Sequence, residues 1–392
     1  MPRAATYTLV RLNRFLAARF ARSLEGEKPL DKSRRDFLAA AATAGVALYG
    51  CGRVRAQDAG AARRRGPVTV GGRRVRTIDM HAHLVVPEVW PLLERFPQAE
   101  TDIGAFLRSP IAARLTSVDD RFTEMERQGI DIQVLSLHFQ HQHDWADRDL
   151  ATPLVRLLNE KVAEQVAAHP DRLVGLGAVS LQHPDLAAEQ VTYLMRELGL
   201  RGVMMTTVIG NEEISAERFA PFWSKAEELG AVIFIHPEGF SGGGPRFEGS
   251  GQLGNTIGMP LDTSVALSHM IFSGFLDRHS DARIVLSHGG GFLPSYIGRA
   301  DNCHARSAGC RTMAKAPSEY LRDLYYDTLV YSPENLRHLI DQVGADRIVL
   351  GTDYPFPIAS QDPVGDALAV PDLADADLEA ILGGTAARLL RL

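Results

Sequence analysis

From residue 75 onward, short apolar runs alternate with amphipathic stretches, and this rhythm constrains the fold more than any other feature of the chain. Strands are expected over Val75–Met80, Ile132–Leu137, Leu173–Val179 and Gly202–Met205, then Ala231–His236, Arg283–His288, Leu324–Leu329 and Arg347–Thr352. Helical periodicity fills the gaps over Leu154–Ala168, Leu186–Leu198, Ala216–Leu229 and Pro333–Val343. Near-continuous apolar strands separated by helices imply a parallel sheet covered by helices. Eight such units predict an α/β fold of the (β/α)8 TIM-barrel type. A doubly wound open sheet is the alternative, but no Gly-x-Gly-x-x-Gly follows an early strand. Val85–Phe122, Gly239–Leu261 and Phe292–Tyr320 are longer than a minimal barrel needs. All three fall on the C-terminal face, where barrel enzymes build their sites. The glycine-rich Ser241–Gly258 reads as a mobile lid or rim.

The first 74 residues break this rhythm. Ser33-Arg34-Arg35-Asp36-Phe37-Leu38 matches a twin-arginine export pattern, followed by the Ala-rich run Phe37–Tyr49. That run is too short to cross a hydrocarbon core of ~30 Å as a helix, so it reads as a signal core with no transmembrane anchor. Val54-Arg55-Ala56 offers a cleavage site, and Cys51 an alternative lipid anchor, although Tyr49 fits a lipobox poorly. The expected division is 1–56 export signal and leader, 57–74 linker and 75–392 barrel, with a periplasmic destination. A net charge of −6 and a pI of about 6.1 offer no basic field for nucleic acid. Of three cysteines, Cys303 and Cys310 lie beyond the leader. On one helix they would stand too far apart to bridge, so a disulfide requires irregular backbone there, and unpaired thiols are the favoured of the two readings.

Chemistry enters at His81-Ala82-His83. Strand side chains alternate with period 2, so these two imidazoles project to one side, as half of a metal site does. With 13 histidines in the chain, one such pair proves little, and His141-Gln142-His143 is a second. That second pair lies beyond its strand among polar residues and reads as an exposed loop. His236, His288 and Asp353, however, also fall at expected strand ends, which converge on one face of a parallel barrel. Four imidazoles and a carboxylate meeting there have the make-up of a divalent-metal site with a spare base.

Thr77-Ile78-Asp79-Met80-His81-Ala82-His83, Ile235-His236-Pro237, Ser287-His288-Gly289-Gly290-Gly291 and Gly351-Thr352-Asp353-Tyr354-Pro355-Phe356 together resemble the amidohydrolase superfamily. More narrowly, they resemble the branch typified by 2-amino-3-carboxymuconate-6-semialdehyde decarboxylase. The resemblance runs in order over nearly all of residues 75–392. It implies a distorted (β/α)8 barrel holding one divalent metal, zinc first and manganese second, through His81, His83, His236 and Asp353. It implies that His288 is the unligated base. It also implies a homodimer in which Arg299, within Ser295-Tyr296-Ile297-Gly298-Arg299, reaches across the interface to grip a substrate carboxylate. A guanidinium suits that task because it offers a bidentate fork. Arg108 and Arg114 are candidates for a second such arginine. No lysine ends the fourth strand, where Met204-Met205-Thr206-Thr207 stands, so a carboxylated-lysine bridge to a second metal is not expected. The chain departs from the branch at Glu238-Gly239, where a Trp-Asp pair follows His-Pro.

The expected function is therefore metal-dependent, non-oxidative decarboxylation of an unsaturated or aromatic carboxylic acid, with His288 as base and Asp353 relaying a proton. Two alternatives stand beside it. One is hydrolysis of an ester, lactone or amide at the same metal. The other is an exported barrel that binds a small acid without turning it over.

Overall fold

A computed structural model describes residues 65–392; the twin-arginine motif, Cys51 and Ala56 lie outside these residues. Eight parallel strands follow one another: β1 (Ile78–Leu84), β2 (Ile132–Leu137), β3 (Leu173–Gly175), β4 (Gly202–Met205), β5 (Val232–Ile235), β6 (Arg283–Leu286), β7 (Tyr325–Asp327) and β8 (Ile348–Val349). Their side chains are almost uniformly buried, because the barrel interior takes one face and the surrounding helices take the other. Regular ladders form two arcs, β1-β2-β3 and β4-β5-β6-β7-β8.

Backbone hydrogen bonds cross both seams between the arcs. Gly177 N donates to Gly202 O (2.9 Å) and Met204 N to Gly177 O (2.9 Å) at the first. Met80 N donates to Leu350 O (2.8 Å) and His83 N to Tyr354 O (2.9 Å) at the second. The strands thus run round in chain order as a TIM-type barrel with two irregular seams.

Several elements are shorter or displaced relative to expectation, for identifiable reasons. β3 stops at Gly175 instead of Val179, because the Asn159 side chain takes over as partner for Ala178, accepting its N–H (2.7 Å) and donating to its C=O (3.0 Å). β1 begins three residues late and runs on to Leu84, so His81 and His83 sit within the strand. A bulge between Asp79 and Ala82 shifts its register against β2 at His81. The linker is also shorter than expected: Thr69–Val70 pairs with Arg73–Arg74, and Val68 and Val70 join the core.

The outer helices include α1 (Val118–Gln128), α2 (Arg148–Ala168), α3 (Pro184–Arg196), α4 (Ala220–Leu229), α5 (Met259–Phe272), α6 (Leu293–Arg306) and α7 (Pro333–Val343). Their starts follow local chemistry. The Ser117, Asp147 and Ser332 side chains each accept a first-turn N–H of α1, α2 and α7. Gly129 and Gly230 end α1 and α4 with left-handed backbone. Among the described residues, no helix is long and apolar enough to cross a membrane.

Cys303 and Cys310 form a disulfide, which corrects the reading as free thiols. Regular helix ends at Arg306, and the Ala308–Cys310 turn brings the second sulfur back to the first, the irregular backbone a bridge at this spacing requires.

Candidate metal centre

His81 and His83 of β1, His236 after β5, His288 after β6 and Asp353 after β8 meet at the C-terminal ends of the strands. Ligand atoms from His81, His236, His288 and Asp353 lie within 4.8 Å of one another. His83 Nε2 adds a fifth, 3.0 Å from His81 Nε2 and 3.2 Å from Asp353 Oδ1. His81 and His83 are fully buried, and Asp353 and His236 are nearly so. His288 is the most accessible of the five, with 14% of its side chain exposed, and its Nε2 is 4.0 Å from Asp353 Oδ2. His288 (φ 53°) and Asp353 (φ 62°) both hold left-handed backbone, a strained conformation for residues other than glycine.

Hydrogen bonds fix which nitrogens face inward. Asp327 Oδ2 accepts from His81 Nδ1 (2.7 Å), and the Pro237 carbonyl accepts from His236 Nδ1 (2.8 Å). Both rings therefore direct a bare Nε2 into the cluster, as metal-bound histidines do. His83 Nδ1 is buried without a partner. If it carries the ring proton, two nitrogen lone pairs face each other across 3.0 Å; if Nε2 carries it, Nδ1 is orphaned. A cation within the cluster relieves that repulsion, so the donor set fits one divalent metal.

Asp353, His83 and His236 are held in the charge states a metal needs, while His81 runs the other way. Burial opposes ionisation of Asp353, but the His83 hydrogen bond and the fields of His81, His83 and His288 prevail and hold its carboxyl at about 2. Burial depresses His83 to about 4, and burial with the neighbouring imidazoles pushes His236 well below the usual histidine range. His81 moves upward: burial opposes its charge, yet the bond to Asp327 and the fields of Asp353, Asp327 and Asp79 outweigh that.

A second layer holds these groups in place. Asp327, at the end of β7, also accepts the His288 (3.0 Å) and Gly289 (2.9 Å) peptide N–H groups. Asp79 accepts from His81 N (3.0 Å), Gln133 Nε2 (2.7 Å) and Thr352 Oγ1 (2.7 Å). Buried Arg121 of α1 donates to Gln133 Oε1 (2.5 Å) and the His83 carbonyl (2.7 Å) and lies over Tyr354 at 4.8 Å. Neither Asp327 nor Asp79 was among the site residues read from sequence. Asp327 ends β7 in the structure, but the strand expected from sequence ran on to Leu329 and placed it inside an apolar run, without the strand-end signal that marked Asp353.

Above the cluster lies a cavity of about 310 Å³, walled by Phe106, Phe139, Met259 and Phe356 and edged by His138, Gln140, Gln252 and Asn255. Gln252 and Asn255 come from the glycine-rich connection after β5, which forms a rim of short helical turns. Arg299 is not part of this cavity: it is exposed on α6, so within one chain it does not meet the cluster. Arg108 pairs with Glu100, and Arg114 Nη1 donates to the Pro355 carbonyl (3.1 Å); neither lines the cavity. His141 and His143 are buried at 3% and 6% exposure, correcting the exposed-loop reading. The short turn Phe139–His141 tucks the chain inward, where His141 Nε2 accepts the Val86 N–H (3.0 Å). They stand apart from the cluster.

Comparison with known proteins gives the same picture. The chain is 31% identical over 334 residues to the 2-amino-3-carboxymuconate-6-semialdehyde decarboxylase of Dictyostelium discoideum, covering 80% of this chain and 91% of that one. A 5-carboxyvanillate decarboxylase from Sphingomonas paucimobilis superposes with a TM-score of 0.73 at 27% identity, over 81% of this chain and 99% of the other. A dihydroxybenzoic acid decarboxylase from Polaromonas, solved with bound manganese and 2-nitroresorcinol, superposes with a TM-score of 0.70 at 25% identity, over 81% and 97%. The amidohydrolase family profile matches residues 78–392, which takes in all five cluster residues. By fold, by the order of its strand-end histidines and aspartate and by sequence, this chain belongs to the amidohydrolase family.

Proposed function

We propose that the chain is a metal-dependent, non-oxidative decarboxylase of an aromatic or unsaturated carboxylic acid. One observation carries the reading: an inward-facing imidazole and carboxylate cluster forms the floor of a cavity walled by aromatic rings. His81, His83, His236 and Asp353 would hold the metal. His288 is set apart by its exposure, by its longer distance to Asp353 and by the absence of a carbonyl or carboxylate on its Nδ1, which faces the Ser287 hydroxyl at 3.3 Å. The nitrogen-rich donor set favours zinc; manganese, carried by the Polaromonas neighbour, is the alternative.

When bound, the divalent ion supplies Lewis-acid polarisation of a substrate oxygen and makes nearby water more acidic. The chain's own residues do the rest. The aromatic walls orient the substrate ring and exclude water. His288 Nε2 and Asp353 Oδ2 form the proton-handling couple. A proton passed from them to the carbon bearing the carboxylate makes that carbon tetrahedral. The bond to the carboxylate then breaks, its electron pair returns to the ring, and carbon dioxide leaves. Nothing is oxidised or reduced.

Hydrolysis stays as the second reading because, among the described residues, no arginine or lysine lines the cavity. In the decarboxylase reading, that cation is Arg299 of a second copy in a homodimer. Turnover in D2O separates the two: decarboxylation places one deuterium on the vacated carbon, whereas hydrolysis leaves no new carbon–deuterium bond there. The Cys303–Cys310 disulfide supports export to an oxidising compartment, in line with a twin-arginine leader and a periplasmic enzyme.

A further inference from the structure

The cavity contains a hydrogen-bond donor that no metal role uses. His138 directly follows β2, is 3% exposed and lines the cavity beside His236, His288 and Asp353. Its ring lies flat on Phe106, with centroids 4.6 Å apart and 8° between planes; Phe139 and Phe356 stand at 4.2 and 5.4 Å. The Gln140 peptide N–H donates to His138 Nδ1 (3.3 Å). A peptide N–H can only donate, so Nδ1 is the bare nitrogen and the ring proton sits on Nε2. Among the described residues the hydrogen bond on this ring is the one at Nδ1, which leaves the Nε2 proton free for a ligand. The His83 ring centroid is 5.7 Å away, so this donor lies next to the metal cluster.

The remaining polar groups around it, Gln140, Gln252 and Asn255, are neutral amides. An anion placed among the rings of Phe106, Phe139 and Phe356 would lose its hydration without gaining a counter-charge there. An uncharged oxygen meets the N–H at no such cost. A substrate without that oxygen leaves a desolvated N–H unpaired, which is how a polar pocket rejects an analogue that lacks the acceptor.

We infer that His138 is a specificity-determining residue, donating from Nε2 to an uncharged hydroxyl or carbonyl oxygen on the ring of the bound acid. This rests on the decarboxylase reading; a ring-oxygenated acid is already in the name of the Polaromonas dihydroxybenzoic acid decarboxylase, and the new element is the residue that reads such an oxygen here.

The test compares binding of 2,6-dihydroxybenzoate and benzoate to the metal-loaded protein by calorimetry. Wild type should prefer the dihydroxy acid by about tenfold or more. His138→Phe keeps the stack on Phe106 and removes the donor; it should cut that preference by about tenfold with metal content and Tm unchanged. His138→Gln retains a side-chain N–H and should recover most of it. If His138→Phe does not fold, His138→Met serves the same comparison. A preference that survives loss of the donor overturns the inference and leaves the decarboxylase reading intact. Failure of wild type to bind either acid also overturns the inference, whereas the decarboxylase reading falls only if no acid of a broad aromatic and unsaturated panel releases carbon dioxide.

Discussion

Asp327 does for His81 what a second carboxylate does in many metal sites: it holds the ring by Nδ1 so that Nε2 stays bare and aimed inward. It simultaneously takes the peptide N–H groups of His288 and Gly289, so one buried side chain sets a ligand and the proposed base together. Asp327→Asn should therefore lower metal affinity by about 10- to 100-fold, read by competition with a chromophoric chelator. Unchanged affinity would mean that His81 is positioned by its strand alone. At this scale the sequence was informative wherever chemistry stood at a strand end, which is why His81, His83, His236, His288 and Asp353 were all legible. The same rule reaches His138, which directly follows Ile132–Leu137, but not Asp327, which falls inside the expected strand Leu324–Leu329. Only the 2.7 Å contact to His81 gives Asp327 its role. Arg299 is exposed on α6 and does not line the cavity, so the role proposed for it needs a second copy of the chain.

The connection after β6 shows how an element's conformation follows from its residues. Gly289, Gly290 and Gly291 hold φ of 61°, 75° and 71°, a run that side chains with a Cβ resist. At Gly291 a Cβ would fall 2.1 Å from the Pro260 carbonyl oxygen at the start of α5. Gly291→Ala should cost about 3 kcal/mol or more, measured by denaturant unfolding, because neither the backbone angle nor the neighbouring chain can give way cheaply. A cost below about 1 kcal/mol would show that this turn relaxes freely. Element identity was legible from periodicity, because all eight strands and the helices between them repeat the same apolar pattern. Boundaries were less so, since they depend on tertiary partners. Asn159 shortens β3 by standing in for a strand, and pairing with β2 and the chain after β8 carries β1 on through His83. The cysteine pairing was missed for a similar reason: the break after Arg306 is invisible to helical spacing.

Across the molecule, the barrel brings five metal-seeking side chains from β1 and the ends of β5, β6 and β8 into one buried cluster. An ion that binds this folded cluster and not the unfolded chain stabilises the fold by mass action. Stripping the metal with a chelator should lower Tm by about 5 °C or more, and restoring the divalent ion should reverse the shift. No change in Tm would argue against a buried, resident metal. The central claim is that this cluster and the aromatic cavity above it remove carbon dioxide from a bound acid. The most direct measurement is carbon dioxide release from a panel of aromatic and unsaturated acids by the metal-loaded protein, with His288→Ala in parallel at equal metal content. Wild type should release carbon dioxide, and the variant should lose roughly 100-fold or more of that rate. Near-equal rates for the two proteins, or ester or lactone cleavage with no carbon dioxide, would contradict that claim.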